Sequence, residues 1–174
     1  MAVAHLHAGG VVLHATESVW GLACDPHNRY AVARLLRLKR RSVNQGLLLI
    51  GADADAFAPE MALLNQAQRQ RILASWPGGH SWLLPNQQFA AWIGGRHLNV
   101  GVRVPGHSQA RRLCSAFAGP LVSTSANLSG RPAPTNRFQA QSAMGALVDY
   151  RLPGETNGAP APSQITTLDG VRLR

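Results

Sequence analysis

Apolar residues in this chain follow two rhythms. Val11-Val12-Leu13, Leu47-Leu48-Leu49-Ile50 and Leu121-Val122 are short, nearly continuous runs. That pattern suits strands covered on both faces. From Arg29 to Lys39, by contrast, Ala31, Val32, Leu35, Leu36 and Leu38 recur at helical spacing, which predicts an amphipathic helix. The turn Asp25-Pro26-His27-Asn28 starts it. Extending this reading predicts strands over Gly9–His14, Leu47–Ile50, Ser81–Leu84, Leu98–Val104, Pro120–Ser123 and Leu147–Tyr150. Short strands are predicted near Gln164–Thr167 and Val171–Leu173 in a tail rich in Gly and Pro. Helices are predicted over Glu60–Ala74, Ser108–Ala118 and Asn136–Ala146, the second stopped by Gly119-Pro120. In the fourth segment Val100, Val102 and Val104 alternate with Asn99, Gly101 and Arg103, so one face is apolar and the other is not. Ala15 to Gly21 reads as a tight segment.

Strands and helices alternate throughout, which argues for an α/β layer architecture. No repeat or linker divides the chain, so residues 1–174 are expected to form one domain. At 174 residues and 45% hydrophobic content it can bury a substantial core. The two cysteines, Cys24 and Cys114, form no C-x-x-C pair, so neither a zinc site nor a redox motif is supported. They point to a reducing, cytoplasmic setting. No secretory signal precedes the first strand, and no apolar run is long enough to span a bilayer. The seven histidines are scattered without metal-ligand spacing, so no metal site of the protein's own is expected. Trp20, Trp76 and Trp82 lie beside apolar strands and read as core residues.

Two polar clusters stand out. Ser123-Thr124-Ser125-Ala126-Asn127-Leu128-Ser129-Gly130 follows a strand. It offers small hydroxyl and amide groups where ligands bind in open sheets; the same residues would also suit a capping turn. Lys39-Arg40-Arg41 stands at the exit of the first long helix, and Lys39 and Arg41 can converge there on a phosphate. Arg34 and Arg37 read instead as a solvated face near the helix end. The formal charge of +9 predicts an anionic partner. No G-x-x-x-x-G-K-[ST] occurs, so a P-loop is excluded. Arg103 sits between apolar neighbours, and a charge there needs a partner.

Taken in order, several segments resemble the YrdC/TsaC family of threonylcarbamoyl-AMP synthases. They are Ala15-Thr16-Glu17-Ser18-Val19-Trp20-Gly21-Leu22, Leu38-Lys39-Arg40-Arg41 (K-x-R), Trp76-Pro77-Gly78, Val102-Arg103-Val104-Pro105 and the Ser123–Gly130 stretch with S-x-N at Ser125 and Asn127. The resemblance covers nearly the whole chain. It implies a twisted mixed β-sheet flanked by helices, an α/β (α+β) fold with a basic concave surface, in a short form without a further carboxyl-terminal domain. The implied reaction joins L-threonine, bicarbonate and ATP, with Mg²⁺, into threonylcarbamoyl-adenylate and pyrophosphate. The product then serves the proteins that modify tRNA beside the anticodon. Phosphate-transfer chemistry of this kind depends on positioning and charge neutralisation. Lys39 and Arg41 would be catalytic and hold ATP together with Ser81, Ser125, Asn127 and Arg174. Thr16, Arg103, Ser123 and Ser163 would hold threonine, Arg103 through its carboxylate. Ala15, Ser42, Gln45 and Gly79 depart from the family pattern, and the family's first helix is expected to be nearly absent.

A different class of function is a double-stranded RNA or tRNA-binding module without catalysis. The net charge and the arginines at 34, 37, 40, 111 and 112 suit it. Salt-sensitive RNA binding without threonine-dependent ATP turnover would mark it. An enzyme acting on sugar phosphates would need an acidic metal-binding cluster, and the eight acidic residues are scattered.

Overall fold

The computed structural model describes residues 1–173. In chain order the helices are α1 (Ala2–His7), α2 (Arg29–Lys39), α3 (Ala58–Ala62), α4 (Gln66–Ser75), α5 (Ala91–Gly94), α6 (Ser108–Phe117) and α7 (Arg137–Met144). The strands are β1 (Val12–Ala15), β2 (Trp20–Cys24), β3 (Leu48–Ile50), β4 (His80–Pro85), β5 (Asn99–Arg103), β6 (Leu121–Ser125), β7 (Tyr150–Arg151) and β8 (Gln164–Thr167). They form one mixed sheet of eight strands in the order β7-β1-β2-β6-β3-β5-β4-β8. The pairs β1–β7, β3–β5 and β4–β8 are parallel; β1–β2, β2–β6, β3–β6 and β4–β5 are antiparallel. Among the described residues no helix is long and apolar enough to cross a membrane.

The two-residue period of each strand sorts its side chains between the faces. Leu13, Leu22, Leu49, Val102 and Val122 join one core with Val32 and Leu35 of α2 and Ile72 of α4. Their neighbours Val12, Ala23, Ile50 and Leu121 join a second core with Leu6 of α1 and Leu113 of α6. The sheet is therefore covered on both faces, as the continuous apolar runs predict. On the second face α1 and α6 cover only part of the strands, and the remainder is open.

Helix ends explain where the sequence reading holds and where it does not. Asn28 caps α2 by accepting hydrogen bonds from Tyr30 N and Ala31 N at 3.0 and 3.1 Å, so the predicted span is the observed one. At its other end Arg40 N reaches Arg37 O and Arg41 N reaches Leu36 O, a Schellman motif with Arg40 in the left-handed region at φ +50°. The predicted helix Glu60–Ala74 is two helices. Asn65 and Gln68 form a capping box that starts α4 afresh, which breaks the chain after α3. Helix α6 ends in a second Schellman motif, whose left-handed residue is Ala118 at φ +61° rather than Gly119. Relief of that Cβ strain should make Ala118→Gly more stable by about 0.5 to 1 kcal/mol, read as a higher midpoint of urea unfolding.

Five other expectations need correction. The first helix is present: α1 packs Ala2 and Leu6 onto the second core. The tight segment after Ala15 leads into β2, a strand in the body of the sheet between β1 and β6. The predicted strand Leu147–Tyr150 is displaced: Leu147 ends a 3₁₀ turn and pairing begins at Tyr150. Of Val171–Leu173 only Arg172 makes a β-bridge, to Thr166. Arg34 is also more than a solvated charge. It pairs with Asp149, whose carboxylate accepts from Val11 N at 2.7 Å, and so ties α2 to the start of β1. Cys24 and Cys114 are buried free thiols, and desolvation pushes both above the ordinary thiol range.

Candidate active site

The open part of the second sheet face is a cleft of about 950 Å³. Register explains its shape. Gly21 pairs with Ser125, Ala23 with Ser123, Leu48 with Gly101, Ile50 with Arg103 and Leu83 with Gly101. The residues facing the opening are thus mostly small or polar, while their sequence neighbours fill the first core. At Gly101 a Cβ would stand 2.3 Å from Leu48 Cδ2, so any side chain there would push into the floor. The alternation predicted over Leu98–Val104 is observed in β5: Val100, Val102 and Val104 are in the core, and Asn99, Gly101 and Arg103 line the cleft.

Both polar clusters face this one opening. Lys39, the last residue of α2, is only 2% exposed. Its Nζ donates to the carbonyls of Ser125 and, at 2.9 Å, Asn127, and lies 3.4 Å from Asn127 Oδ1. Its own carbonyl accepts from Ser129 N at 2.9 Å. The helix exit and the Ser123–Gly130 stretch are therefore one structural unit, with the ammonium inside it. Asn127 Nδ2 donates to the Leu128 and Arg131 carbonyls, which holds the loop together at the edge of the cleft; the next helix is capped by Asn136. Arg41 Nη2 donates to Gly46 O at 2.9 Å and Gln45 O at 3.3 Å. Burial, and secondarily the charge of Arg41, lowers the Lys39 ammonium from the ordinary lysine value to about 8.

Arg103 is 8% exposed and has the carboxylate its burial demands. Glu17 Oε2 stands 3.5 Å from Arg103 Nη2, and Glu17 Oε1 accepts from Gly106 N at 2.7 Å. The sequence reading left this partner unnamed. A guanidinium has five N–H donors, and Arg103 lines the cleft as well as pairing with Glu17. Thr16 Oγ1 donates to Val19 O at 2.7 Å. Ser81 Oγ lies 3.4 Å from Ser163 Oγ across the β4 side of the cleft. Thr16, Ser81, Arg103, Ser123, Ser125, Asn127 and Ser163 all line the same cavity as Lys39 and Arg41. Arg174 lies outside the described residues. Behind Ser123, the buried imidazole of His14 is pushed by desolvation down to about 4.

Among the lining residues not singled out as candidates from the sequence are Arg96, Asn99 and Arg131. Asn99 was signalled by its alternation with the valines of β5; the two arginines sit in loops and carry no local signal. Together Lys39, Arg41, Arg96, Arg103 and Arg131 put five cationic side chains around an opening whose described lining contains no carboxylate. Such a cleft favours a multiply charged anion. Among the described residues no group of three His, Cys, Asp or Glu side chains could hold a metal ion.

Comparison with known proteins agrees with this geometry. The model of the Sua5/YciO/YrdC family, described as "Telomere recombination", matches residues 4–173. A protein of Xanthomonas euvesicatoria pv. vesicatoria named threonylcarbamoyl-AMP synthase is 42% identical over 167 residues, covering 94% of this chain and 89% of the relative. One of Stenotrophomonas maltophilia with the same name is 42% identical over 177 residues, covering 99% and 95%. The structure of P. abyssi Sua5 complexed with L-threonine superposes with a TM-score of 0.92 at 25% identity, over 99% of this chain and 52% of that one. The chain thus spans about half the length of the P. abyssi protein. E. coli YciO shares the fold, with a TM-score of 0.86 at 21% identity over 99% of this chain and 86% of its own. From the motifs, the cleft and these relatives together, the chain belongs to the Sua5/YciO/YrdC family.

Proposed function

We propose that this protein is a threonylcarbamoyl-AMP synthase, a nucleotidyltransferase that makes threonylcarbamoyl-adenylate and pyrophosphate from L-threonine, bicarbonate and ATP. The observation that carries the proposal is the junction of Lys39 with the Ser125–Asn127 corner inside a cleft lined by cations. The relatives named for this activity match nearly the whole chain, which supports the same reading. So does the L-threonine complex of a structural neighbour.

The chemistry implied by the family resemblance suits the residues. Threonine's amine and bicarbonate condense to a carbamate as a C–N bond replaces a C–O bond and water leaves, and a carbamate oxygen then attacks the α-phosphorus of ATP. The α–β phosphoanhydride bond breaks and pyrophosphate leaves. Charge builds on the leaving group, so fixed cations accelerate the step. Lys39 and Arg41 are the catalytic residues in this account. They hold the phosphates, with Ser125 and Asn127 at the corner, Ser81 on the β4 side and Arg174 from the tail. Arg103 takes the threonine carboxylate as a charge-assisted pair, with Thr16, Ser123 and Ser163 around the amino acid. Mg²⁺ enters as the counter-ion of ATP. The hydroxyl and amide oxygens of Ser125 and Asn127 suit an ion that keeps most of its ligands on phosphates and water.

Residues 1–174 form one domain in this reading, supported by the single sheet and by the match over 4–173. The product passes to proteins that modify tRNA, and exposed cations such as Arg40 and Arg112 support direct tRNA affinity. Two buried thiols without a disulfide support a cytoplasmic setting.

The depressed Lys39 sets a pH dependence. Below about pH 8 the ammonium is charged with or without ligand, so affinity for ATP does not vary through this group. Bound phosphate favours the charged form and raises its value in the complex. Above about pH 8 binding must therefore take up a proton, and affinity should fall by up to about tenfold per pH unit. Calorimetry in buffers of different ionisation enthalpy reads that uptake directly. For the function itself the test is release of pyrophosphate from ATP. It should require both threonine and bicarbonate; release that ignores threonine would refute the proposal.

A further inference from the structure

Beneath the proposed amino-acid site, and resting on that reading, lies a hydrogen-bond relay that sets the polarity of one hydroxyl. His14 is the β1 residue on the cleft side of the sheet, directly across from Gly21 of β2. Its Nδ1 lies 3.1 Å from Ala15 O. A carbonyl can only accept, so Nδ1 carries the proton. The ring is fully buried. The charged or titratable groups acting on it are Arg103 and His107, with Arg103 in turn paired to Glu17. Burial beside a guanidinium and a second imidazole keeps it neutral. A neutral ring with a proton on Nδ1 has its lone pair on Nε2, and Nε2 stands 3.3 Å from Ser123 Oγ.

We propose that His14 is a positioning residue: it takes the hydroxyl proton of Ser123, so that Ser123 meets the cleft as an acceptor. Thr16 has the same polarity, since its hydroxyl proton is spent on Val19 O at 2.7 Å. Two acceptor oxygens then share a cleft with the Arg103 guanidinium. The pair takes N–H donors, here the amine of the α-amino acid, while Arg103 takes its carboxylate. An anionic oxygen placed on the pair would meet lone pairs and be repelled. Gly21 makes the relay possible, because a Cβ there would stand 3.1 Å from His14 Nε2 and 3.5 Å from Ser123 Oγ.

Long-range proton–nitrogen NMR correlation of the wild-type imidazole at neutral pH tests the first half. The expected result is a protonated Nδ1 and a bare Nε2; a proton on Nε2 would overturn the proposal. Calorimetric binding of L-threonine and of ATP to His14→Phe and His14→Gln tests the second half. His14→Phe keeps a ring but no acceptor and should weaken threonine about tenfold, with ATP affinity nearly unchanged. His14→Gln, with an amide oxygen able to reach the Nε2 position, should recover most of that loss. In a Ser123→Ala background, His14→Phe should cost threonine nothing more. Equal threonine affinity in wild type and His14→Phe overturns the proposal, and so does an equal loss in both His14 variants. No threonine binding by the wild type contradicts the substrate reading instead, and the two failures are distinguishable because the tautomer is read without ligand.

Discussion

Lys39→Ala is expected to lower turnover by about 100- to 1,000-fold, the cost of removing one preorganised charge from a site of phosphate chemistry. The ammonium serves two ends. Toward the protein it satisfies the Ser125 and Asn127 carbonyls; toward the cleft it is the buried cation nearest the hydroxyl-amide corner. Losing the first role leaves carbonyls without their donor and should cost about 1 to 3 kcal/mol of stability. Turnover must therefore be measured on protein shown to be folded by its urea transition. Lys39→Arg is not expected to rescue, because a planar fork cannot replace a compact charge held among three oxygens. Arg41→Ala should also reduce turnover; its side chain donates to the Gln45 and Gly46 carbonyls at the helix exit. Full turnover in both alanine variants would remove these residues from catalysis.

Arg103→Ala should raise the KM for threonine by about 10- to 100-fold, the worth of charge-assisted hydrogen bonds to a carboxylate, and move the KM for ATP little. It should also destabilise the fold by about 3 kcal/mol, because Glu17 is left as a mostly buried charge. The two effects can be separated. Adding Glu17→Gln to Arg103→Ala removes the stranded charge, so stability should largely return while the KM for threonine stays high. An increase in KM confined to ATP would place Arg103 at the nucleotide instead.

What could be read from the chain depended on how local the cause is. Helix α2 announced both its ends, through the Asn28 cap and a periodic apolar face that stops at Lys39. The lone Arg103 among valines announced a charge needing a partner. Strand β2 did not announce itself: Gly21 and Ala23 are poor strand formers, and Gly21 serves the room it leaves in the cleft while Ala23 packs in the second core. The break between α3 and α4 was written in the Asn65–Gln68 capping box, which the apolar spacing masked. The site itself rests on distant pairs. Lys39 and Ser125 are 86 residues apart in sequence, and Glu17 and Gly106 are 89 apart. Their meeting follows from strand order, which no single stretch encodes. His14 is the clearest case, since its role depends on the joint register of β1, β2 and β6.

In the proposed function one cleft joins carbamate and nucleotide. Incubation with labelled bicarbonate, L-threonine, ATP and Mg²⁺ tests it most directly. Label should appear in a threonine–adenylate mixed anhydride, matched mole for mole by pyrophosphate. Pyrophosphate without labelled adenylate, or salt-sensitive RNA binding with no threonine-dependent turnover of ATP, would contradict it.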